Sequence, residues 1–162
     1  MADLHGGLAE ALVKKLTARS WTVVAAESCT AGLVADFLAG IPGASQILWG
    51  SFVCYTVEAK HVMLGIPMAN LRRFGAVSRE TALAMAQGAL KRSGANLAVS
   101  VTGIAGPGGD GSLVPVGTVW IGCAQRGGEA EASVYHYAGS RAEVRETAAW
   151  EALCILYRKY LS

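Results

Sequence analysis

Short apolar runs typical of strands alternate along the chain with longer segments whose apolar residues recur at helical spacing. Near the carboxyl end, two further strand-like runs are joined at Arg126-Gly127-Gly128, which is a hairpin signal. Strands that alternate with helices pair in parallel, whereas strands joined by a tight turn pair antiparallel. The pattern therefore predicts an α/β fold, a three-layer α/β/α sandwich whose mixed sheet has about five strands.

The expected elements follow one another without a linker or an internal repeat. Strands are predicted at 21–26, 47–55, 97–101, 116–124 and 130–137. Helices are predicted at about 3–19, after residue 30 as far as 41–43, around Lys60, from an N-cap at Ser78 to about Lys91, and after Ser140. The Gly65-Ile66-Pro67 stretch is expected to end the helix around Lys60. We therefore expect residues 1–162 to form a single domain.

The composition excludes several classes of protein. Hydrophobic residues make up 52% of the 162 residues and charged residues 16%, which is too apolar for a disordered chain. A formal net charge of +2 provides no field that would recruit nucleic acid. No apolar run reaches the roughly 18 residues that a membrane span needs, and no signal-peptide pattern opens the sequence. We expect a cytoplasmic protein, and its few charges favour a homo-oligomer, a dimer or larger.

The cysteines are far apart in the sequence and do not form a metal-ligand pattern. Cys54, Cys123 and Cys154 lie in apolar surroundings, which predicts core packing. No CxxC is present, and no cysteine pairs with a histidine at the spacing of metal ligands. We therefore expect no metal site.

Ser28 lies where the first predicted strand ends and a helix is expected to begin. A hydroxyl at that junction is either an ordinary N-cap or a nucleophile whose oxyanion the backbone N–H groups would stabilise. Glu27 and Thr30 add polar groups at the end of a buried strand, where open α/β sheets place their ligands. The segment is therefore a candidate ligand site.

Residues 103–111 contain five glycines and follow the third strand directly. Glycine permits close approach of a ligand to the backbone, and such loops form anion-binding nests of N–H groups. The loop is not a Walker A or dinucleotide motif, because a strand follows it, and a flexible surface connection is the alternative. Thr102 is expected to face whatever this loop binds. The candidate glycines are Gly103, Gly106, Gly108, Gly109 and Gly111.

Three cations lack an acidic neighbour on their own helix. Lys60 has none three or four residues away, so it is either a solvated lysine or, in an apolar setting, a base with a lowered pKa. Arg141 and Arg145 share a face at the start of the last helix, where the helix dipole disfavours cations. Either an anionic ligand or carboxylates from elsewhere in the fold would offset that cost.

The segments Glu27-Ser28-Cys29-Thr30 and Thr102-Gly103-Ile104-Ala105-Gly106-Pro107-Gly108-Gly109, with Tyr55 five residues before Lys60, resemble the CinA C-terminal domain family. The resemblance covers about residues 10–160. It implies an amidohydrolase that converts nicotinamide mononucleotide to nicotinic acid mononucleotide and ammonia, for pyridine nucleotide recycling. It implies no metal and no organic cofactor, and this domain alone without the additional amino-terminal domain of longer members.

The resemblance also implies roles for individual residues. Ser28 would be the nucleophile and Lys60 its base, with Tyr55 and Thr102 as further catalytic residues. N–H groups of Cys29 or Thr30 would stabilise the oxyanion, and Glu27 would contact the substrate. The substrate's phosphate would bind to the glycine-rich loop or to Arg141, with Arg145 as a helper.

The sequence departs from the family pattern at three positions. Val57 stands where an asparagine is frequent, Val114 where a lysine or arginine often precedes Pro-Val-Gly, and Ala31 where a glycine is frequent. The first two changes remove a polar group and a cation, which favours, as the alternative, a catalytically weakened module that binds a nucleotide or a partner. A hydrolase with another amide or ester substrate is a third hypothesis.

Overall fold

The computed structural model describes the backbone of residues 2–162 and the side chains of residues 6–162. One five-stranded mixed sheet has the strand order β2-β1-β3-β4-β5, with β1 parallel to β2 and β3, and β4 antiparallel to β3 and β5. The strands are β1 Val23–Glu27, β2 Leu48–Val53, β3 Leu97–Gly103, β4 Thr118–Gln125 and β5 Ala130–His136. The helices are α1 Ala2–Ala18, α2 Leu33–Ala39, α3 Val57–Leu64, α4 Met68–Phe74, α5 Arg79–Ser93 and α6 Arg141–Leu156. A 3-10 turn, Ala44–Gln46, and a π turn, Tyr157–Leu161, complete the elements.

Helices cover both faces of the sheet, so the predicted α/β class and the five-stranded mixed sheet are confirmed. Alternate residues of β1 point to opposite faces. Val23 and Ala25 join a core with α1, α2 and α6, whereas Val24 and Ala26 join a second core with α3, α4 and α5. This double burial explains why the β1 sequence is continuously apolar. Of the cysteines predicted in the core, Cys54 and Cys123 are buried and Cys154 is partly exposed.

Helix α4 is the main element that the sequence analysis missed. Gly65-Ile66-Pro67 does end α3, where Gly65 adopts a φ of +72°. The segment after Pro67 is nonetheless helical from Met68 to Phe74, with Pro67 at the N-cap. A proline suits the start of a helix because it has a fixed φ and lacks an N–H there. The expected N-cap at Ser78 is confirmed, since Ser78 Oγ accepts a hydrogen bond from the Thr81 N–H at 3.1 Å.

The sheet topology places three chain segments at one edge. Strands β1, β2 and β3 are parallel neighbours, so their carboxyl ends lie side by side. Ser28 follows β1, Tyr55 follows β2, and Thr102 lies at the end of β3. Open α/β sheets bind their ligands outside these carboxyl ends. No helix within residues 2–162 combines the length and the apolar character that crossing a membrane requires.

Candidate active site

Glu27 caps helix α2, which corrects the interpretation of Ser28 as the N-cap. The helix begins at Leu33, five residues beyond Ser28. The Glu27 carboxylate accepts hydrogen bonds from the N–H groups of Gly32 and Val34 at 2.9 and 3.1 Å. It also accepts bonds from the Ala35 N–H at 3.2 Å and from Ser51 Oγ at 2.9 Å. Glu27 is fully buried and does not line the cavity described below, so the structure places it behind the site and not at a substrate.

Ser28 and Lys60 lie in direct contact. The Nζ atom of Lys60 is 2.9 Å from Ser28 Oγ, 2.9 Å from the Cys54 carbonyl oxygen and 3.4 Å from the Tyr55 carbonyl oxygen. Ser28 retains 8% of its surface, whereas Lys60 is 0% exposed. Lys60 and Leu64 are one helical turn apart and form the buried face of α3. The lysine is therefore held in the interior with its amine at the serine hydroxyl.

The surroundings of Lys60 favour a neutral amine. Burial lowers the pKa of Lys60 from its usual 10.5, since removal from water disfavours the charged form, while a negative charge on the Cys54 or Cys29 sulfur would act in the opposite direction. A neutral amine has two N–H donors and one lone pair. When the carbonyl oxygens of Cys54 and Tyr55 accept the two N–H groups, the lone pair faces Ser28 Oγ, whose O–H otherwise donates to the Tyr55 carbonyl oxygen at 3.4 Å. The arrangement is therefore able to deprotonate Ser28.

A cavity of about 440 Å³ opens in front of this pair. Its volume falls within the range of roughly 300–1,000 Å³ that small-molecule sites occupy. Its wall is formed by the carboxyl ends of the three parallel strands, by the glycine-rich loop and by the start of α6. The lining residues are Ser28, Cys29, Tyr55, Val57, Lys60, Ala76, Val77, Thr102, Gly103, Ile104, Ala105, Gly106, Gly108, Gly109, Asp110 and Arg141.

Arg141 joins two sides of the cavity. Its Nη1 donates to the Gly106 carbonyl oxygen at 2.9 Å, and its Nη2 donates to the Tyr55 hydroxyl at 2.8 Å. A guanidinium has five N–H donors, so three remain for a ligand. Among residues 6–162, no carboxylate forms an ion pair with Arg141. This cation is therefore placed to bind an anionic group in the cavity.

Arg145 points elsewhere, although it shares a helix face with Arg141. Its Nε donates to the Cys29 carbonyl oxygen at 2.9 Å, and its Nη2 donates to the Thr30 carbonyl oxygen at 3.2 Å. Arg145 does not line the cavity. The acceptors of Arg145 are therefore main-chain carbonyl oxygens. The sequence analysis considered only an anionic ligand or a carboxylate as its partner.

Thr102, Cys29 and Thr30 occupy different places around the site. Thr102 lines the cavity, and its Oγ1 donates to the Ala76 carbonyl oxygen at 2.7 Å. Cys29 also lines the cavity, and burial raises the pKa of its thiol to about 11, so the thiol stays protonated near neutral pH. Thr30 is buried outside the lining, and its hydroxyl finds no hydrogen-bond partner in the described part of the chain.

The glycines of the 103–111 loop fall into two groups. A Cβ at Gly103 would lie 2.7 Å from the Thr118 carbonyl oxygen, so packing demands glycine there, whereas at Gly106 a φ of +87° favours glycine and a Cβ would lie 2.7 Å from the Val116 side chain. A Cβ at Gly108 or Gly109 would meet nothing within 4 Å, which leaves open cavity beside their backbone. Gly111 does not line the cavity.

The cavity includes lining residues that the sequence analysis did not propose. Asp110 lines it and uses its Oδ1 to accept hydrogen bonds from Ser112. Its place inside the glycine-rich loop was an available signal. Of the two departures from the family pattern, Val57 lines the cavity and Val114 does not. Within the described residues, no three His, Cys, Asp or Glu side chains gather as metal ligands would.

Comparisons with known proteins agree with the fold. The family model of the CinA C-terminal domain matches residues 5–160. A CinA-like protein of Akkermansia muciniphila is 44% identical over 94% of this chain, but this chain spans only 37% of that relative's length. A nicotinamide-nucleotide amidohydrolase, PncC, of Enterobacter agglomerans is 42% identical over 90% of this chain and 89% of its own length.

Solved structures show the same architecture. The crystal structure of the competence/damage inducible protein CihA from Agrobacterium tumefaciens superposes with a TM-score of 0.91 at 44% identity, covering 95% of this chain and 94% of that one. With the family model matched over nearly the whole chain and a relative 42% identical over 89% of its own length, the protein belongs to the CinA C-terminal domain family.

Proposed function

We propose that this protein hydrolyses the carboxamide of nicotinamide mononucleotide and releases ammonia and nicotinic acid mononucleotide. The observation that carries the proposal is the 2.9 Å contact between Ser28 Oγ and the Nζ of the fully buried Lys60. It supplies a nucleophile and a base in one place, which amide hydrolysis requires. The similarity to a relative named nicotinamide-nucleotide amidohydrolase supports the choice of substrate.

In the first half of the reaction, neutral Lys60 accepts the Ser28 proton as Oγ attacks the carboxamide carbon. The carbonyl oxygen becomes an oxyanion, for which the Cys29 N–H is the candidate donor. The resulting Lys60 ammonium then gives its proton to the departing nitrogen, so the C–N bond breaks and ammonia leaves. The products of this half are an ester between Ser28 and the nicotinoyl group, and a neutral Lys60.

In the second half, water attacks the ester carbon. Lys60 accepts a proton from that water and returns it to Ser28 Oγ as the C–O bond breaks. Nicotinic acid mononucleotide leaves as the carboxylate after its new carboxyl group gives the second proton of the water to the solvent, and the enzyme regains a neutral lysine and a serine hydroxyl. One buried amine thus acts as base and acid in turn, which requires a pKa lowered from 10.5.

The part of the cavity that Arg141, Gly108 and Gly109 line suits the substrate's phosphate. Arg141 retains three donors there, and the backbone at Gly108 and Gly109 is open. Tyr55 holds Arg141 in place through its hydroxyl, and Thr102 fixes the Ala76 wall of the cavity. In the proposal these two residues therefore shape the site around the reacting pair.

The deciding experiment measures ammonia release from nicotinamide mononucleotide by the wild type, Ser28→Ala and Lys60→Met. We expect activity in the wild type and its loss in both variants, with Ser133→Ala, an exposed serine on β5, as the matched control. Full activity in Ser28→Ala would show that the serine mechanism is wrong.

A binding module without turnover is the second candidate. The apolar side chain of Val57 in the cavity wall, where the family pattern favours a polar one, is the observation in its favour. Calorimetry of the wild type with nicotinamide mononucleotide separates the two functions. Binding without ammonia release would support the module, whereas binding with release supports the hydrolase.

A further inference from the structure

Arg145 connects helix α6 to the nucleophile loop, which we define as residues 28–32. The residues that it joins lie more than a hundred positions apart in the sequence. Two donors of one planar guanidinium reach two consecutive carbonyl oxygens, those of Cys29 and Thr30. A rigid fork of this kind restricts both peptide groups at once, which a single flexible donor does not achieve.

The nucleophile loop has a backbone conformation that needs such support. Ala31 adopts a φ of +50° and Gly32 a φ of +104°, and the left-handed region is unfavourable for a residue with a Cβ. The loop is tied at its start by the Ser28 N–H, which donates to the Val101 carbonyl oxygen at 2.9 Å. It is tied at its end by the Glu27 carboxylate. Arg145 holds the part between these two attachments.

The direction of the Cys29 and Thr30 N–H groups follows from these bonds. In a trans peptide the C=O and the next N–H point in opposite directions. Since the Cys29 carbonyl faces Arg145, the Thr30 N–H points away from that guanidinium. The Ser28 carbonyl accepts from the Ala31 N–H at 3.1 Å, so the Cys29 N–H points away from that turn. Neither N–H donates to a carbonyl oxygen within residues 2–162, and the Cys29 N–H lies beside its own sulfur. Of the two residues, Cys29 lines the cavity and Thr30 does not.

We propose that Arg145 is a positioning residue for the reaction and not a ligand of the substrate. It fixes the nucleophile loop so that Ser28 Oγ stays within hydrogen-bond reach of Lys60 and the Cys29 N–H stays in place for the oxyanion. The proposal rests on the proposed function and revises the expectation that Arg145 helps to bind the phosphate. Arg145 contacts neither the cavity nor the reacting atoms, so its effect is exerted through the loop.

The first test separates positioning from binding in steady-state kinetics with nicotinamide mononucleotide. We expect Arg145→Met to lower kcat by about 10- to 100-fold, as small misplacements of reacting groups do, with KM nearly unchanged. Arg145→Lys should recover part of kcat, because an ammonium still reaches one carbonyl. A raised KM with unchanged kcat would overturn the proposal in favour of substrate binding.

The matched control is Arg126→Met. Arg126 also donates from Nη1 to a main-chain carbonyl, that of Gly94 at 2.8 Å, but it follows β4 at the opposite end of the sheet. It should keep the wild-type kcat. Circular dichroism melting of each variant distinguishes a displaced loop from an unfolded chain. A loss of kcat in Arg145→Met that vanishes once activity is corrected for the folded fraction would also overturn the proposal.

A second test is independent of the identity of the substrate. Phenylmethylsulfonyl fluoride forms a bond between Ser28 Oγ and sulfur while the S–F bond breaks, fluoride leaves, and Lys60 accepts the serine proton. Mass spectrometry follows the rate of labelling at Ser28. Slower labelling in Arg145→Met than in the wild type supports positioning even if nicotinamide mononucleotide proves not to be the substrate. Equal rates would contradict it.

Discussion

The Nζ atom of Lys60 lies 2.9 Å from the carbonyl oxygen of Cys54, at the point where the chain leaves strand β2. That carbonyl holds one N–H of the amine and thereby orients the rest of it toward Ser28. A main-chain acceptor does this without adding a negative charge, so burial remains the dominant influence on the pKa of Lys60 and lowers it. The pair can therefore react as a hydroxyl and a neutral amine.

Activity should rise with pH through the lowered pKa of Lys60 and then level off. Only the neutral amine can accept the Ser28 proton, and its fraction grows as the pH passes the pKa. The measurement is kcat/KM for ammonia release from acid to alkaline pH. Lys60→Arg should be nearly inactive throughout, because a guanidinium does not release its proton in this range. A flat profile for the wild type would contradict the assignment of the base.

Stability should depend on pH in a way that Lys60→Met removes. The pKa of Lys60 is lowered in the folded state, so between that pKa and 10.5 the unfolded chain binds more protons than the folded one. Lys60 should therefore make the free energy of unfolding increase as the pH rises across this window. Below the lowered pKa, the folded state carries the full cost of a buried charged amine. Urea unfolding at several pH values should show a smaller slope in Lys60→Met. Identical slopes would mean that the pKa is not lowered.

Two alanine substitutions in the glycine-rich loop should have different effects, one on the melting temperature and the other on KM. Gly103→Ala places a Cβ against the Thr118 carbonyl oxygen and should lower the melting temperature. Gly108→Ala meets no protein atom within 4 Å and should fold normally, but it fills space beside the proposed phosphate and should raise KM. Melting curves and steady-state kinetics of the two variants check both statements. An unchanged KM in Gly108→Ala would place the phosphate elsewhere.

Replacing Glu27 by Gln should destabilise the protein by about 2–3 kcal/mol, the scale of losing hydrogen bonds to a buried charged group. The carboxylate accepts hydrogen bonds from three backbone N–H groups. In the glutamine variant, the amide NH2 is itself a donor and cannot accept the N–H groups that it would face. Urea unfolding measures the change. Glu58→Gln is the control, since Glu58 is exposed in the first turn of α3. Equal stabilities of the two variants would be inconsistent with a capping role.

Ala31→Gly should stabilise the fold by about 0.5 kcal/mol. A residue with a Cβ pays about 1–2 kcal/mol to adopt a φ of +50°, and glycine avoids this cost. Glycine loses more conformational entropy than alanine on folding, but this loss is smaller than the cost that it avoids. Ala11→Gly, inside α1 where φ is helical, should instead lose about 1 kcal/mol. Thermal unfolding of both variants tests the sign. A destabilised Ala31→Gly would show that the loop is not strained at this residue.

The five strands could be predicted from the sequence because their apolar and β-branched composition is local information. Helix α4 was missed because Gly65 and Pro67 were interpreted only as a break. The same proline is also a helix-start signal, and the segment that follows it ends at Gly75, which is a stop signal.

The site could be predicted in part. Ser28, Tyr55, Lys60, Thr102 and Arg141 all line one cavity, and each is marked by its motif or by a missing ionic partner. The separation of Arg141 from Arg145 was not predictable, since helical spacing places both on one face and only the packing of α6 decides what each reaches. The capping role of Glu27 was not predictable either, because it depends on how the chain brings the start of α2 back to Glu27.

The complete burial of Lys60 has a chemical consequence beyond its acidity. Reactive acyl compounds modify amines such as those of Lys14 and Lys91, which stand in solvent. A neutral amine is the more nucleophilic form, so an exposed lysine with a lowered pKa would be the first to be consumed by such compounds. With 0% exposure, the Lys60 amine presents no surface to the solvent, although Lys60 lines the cavity beside Ser28. The fold thus limits acylation of this amine from the solvent while leaving it free to exchange a proton with Ser28.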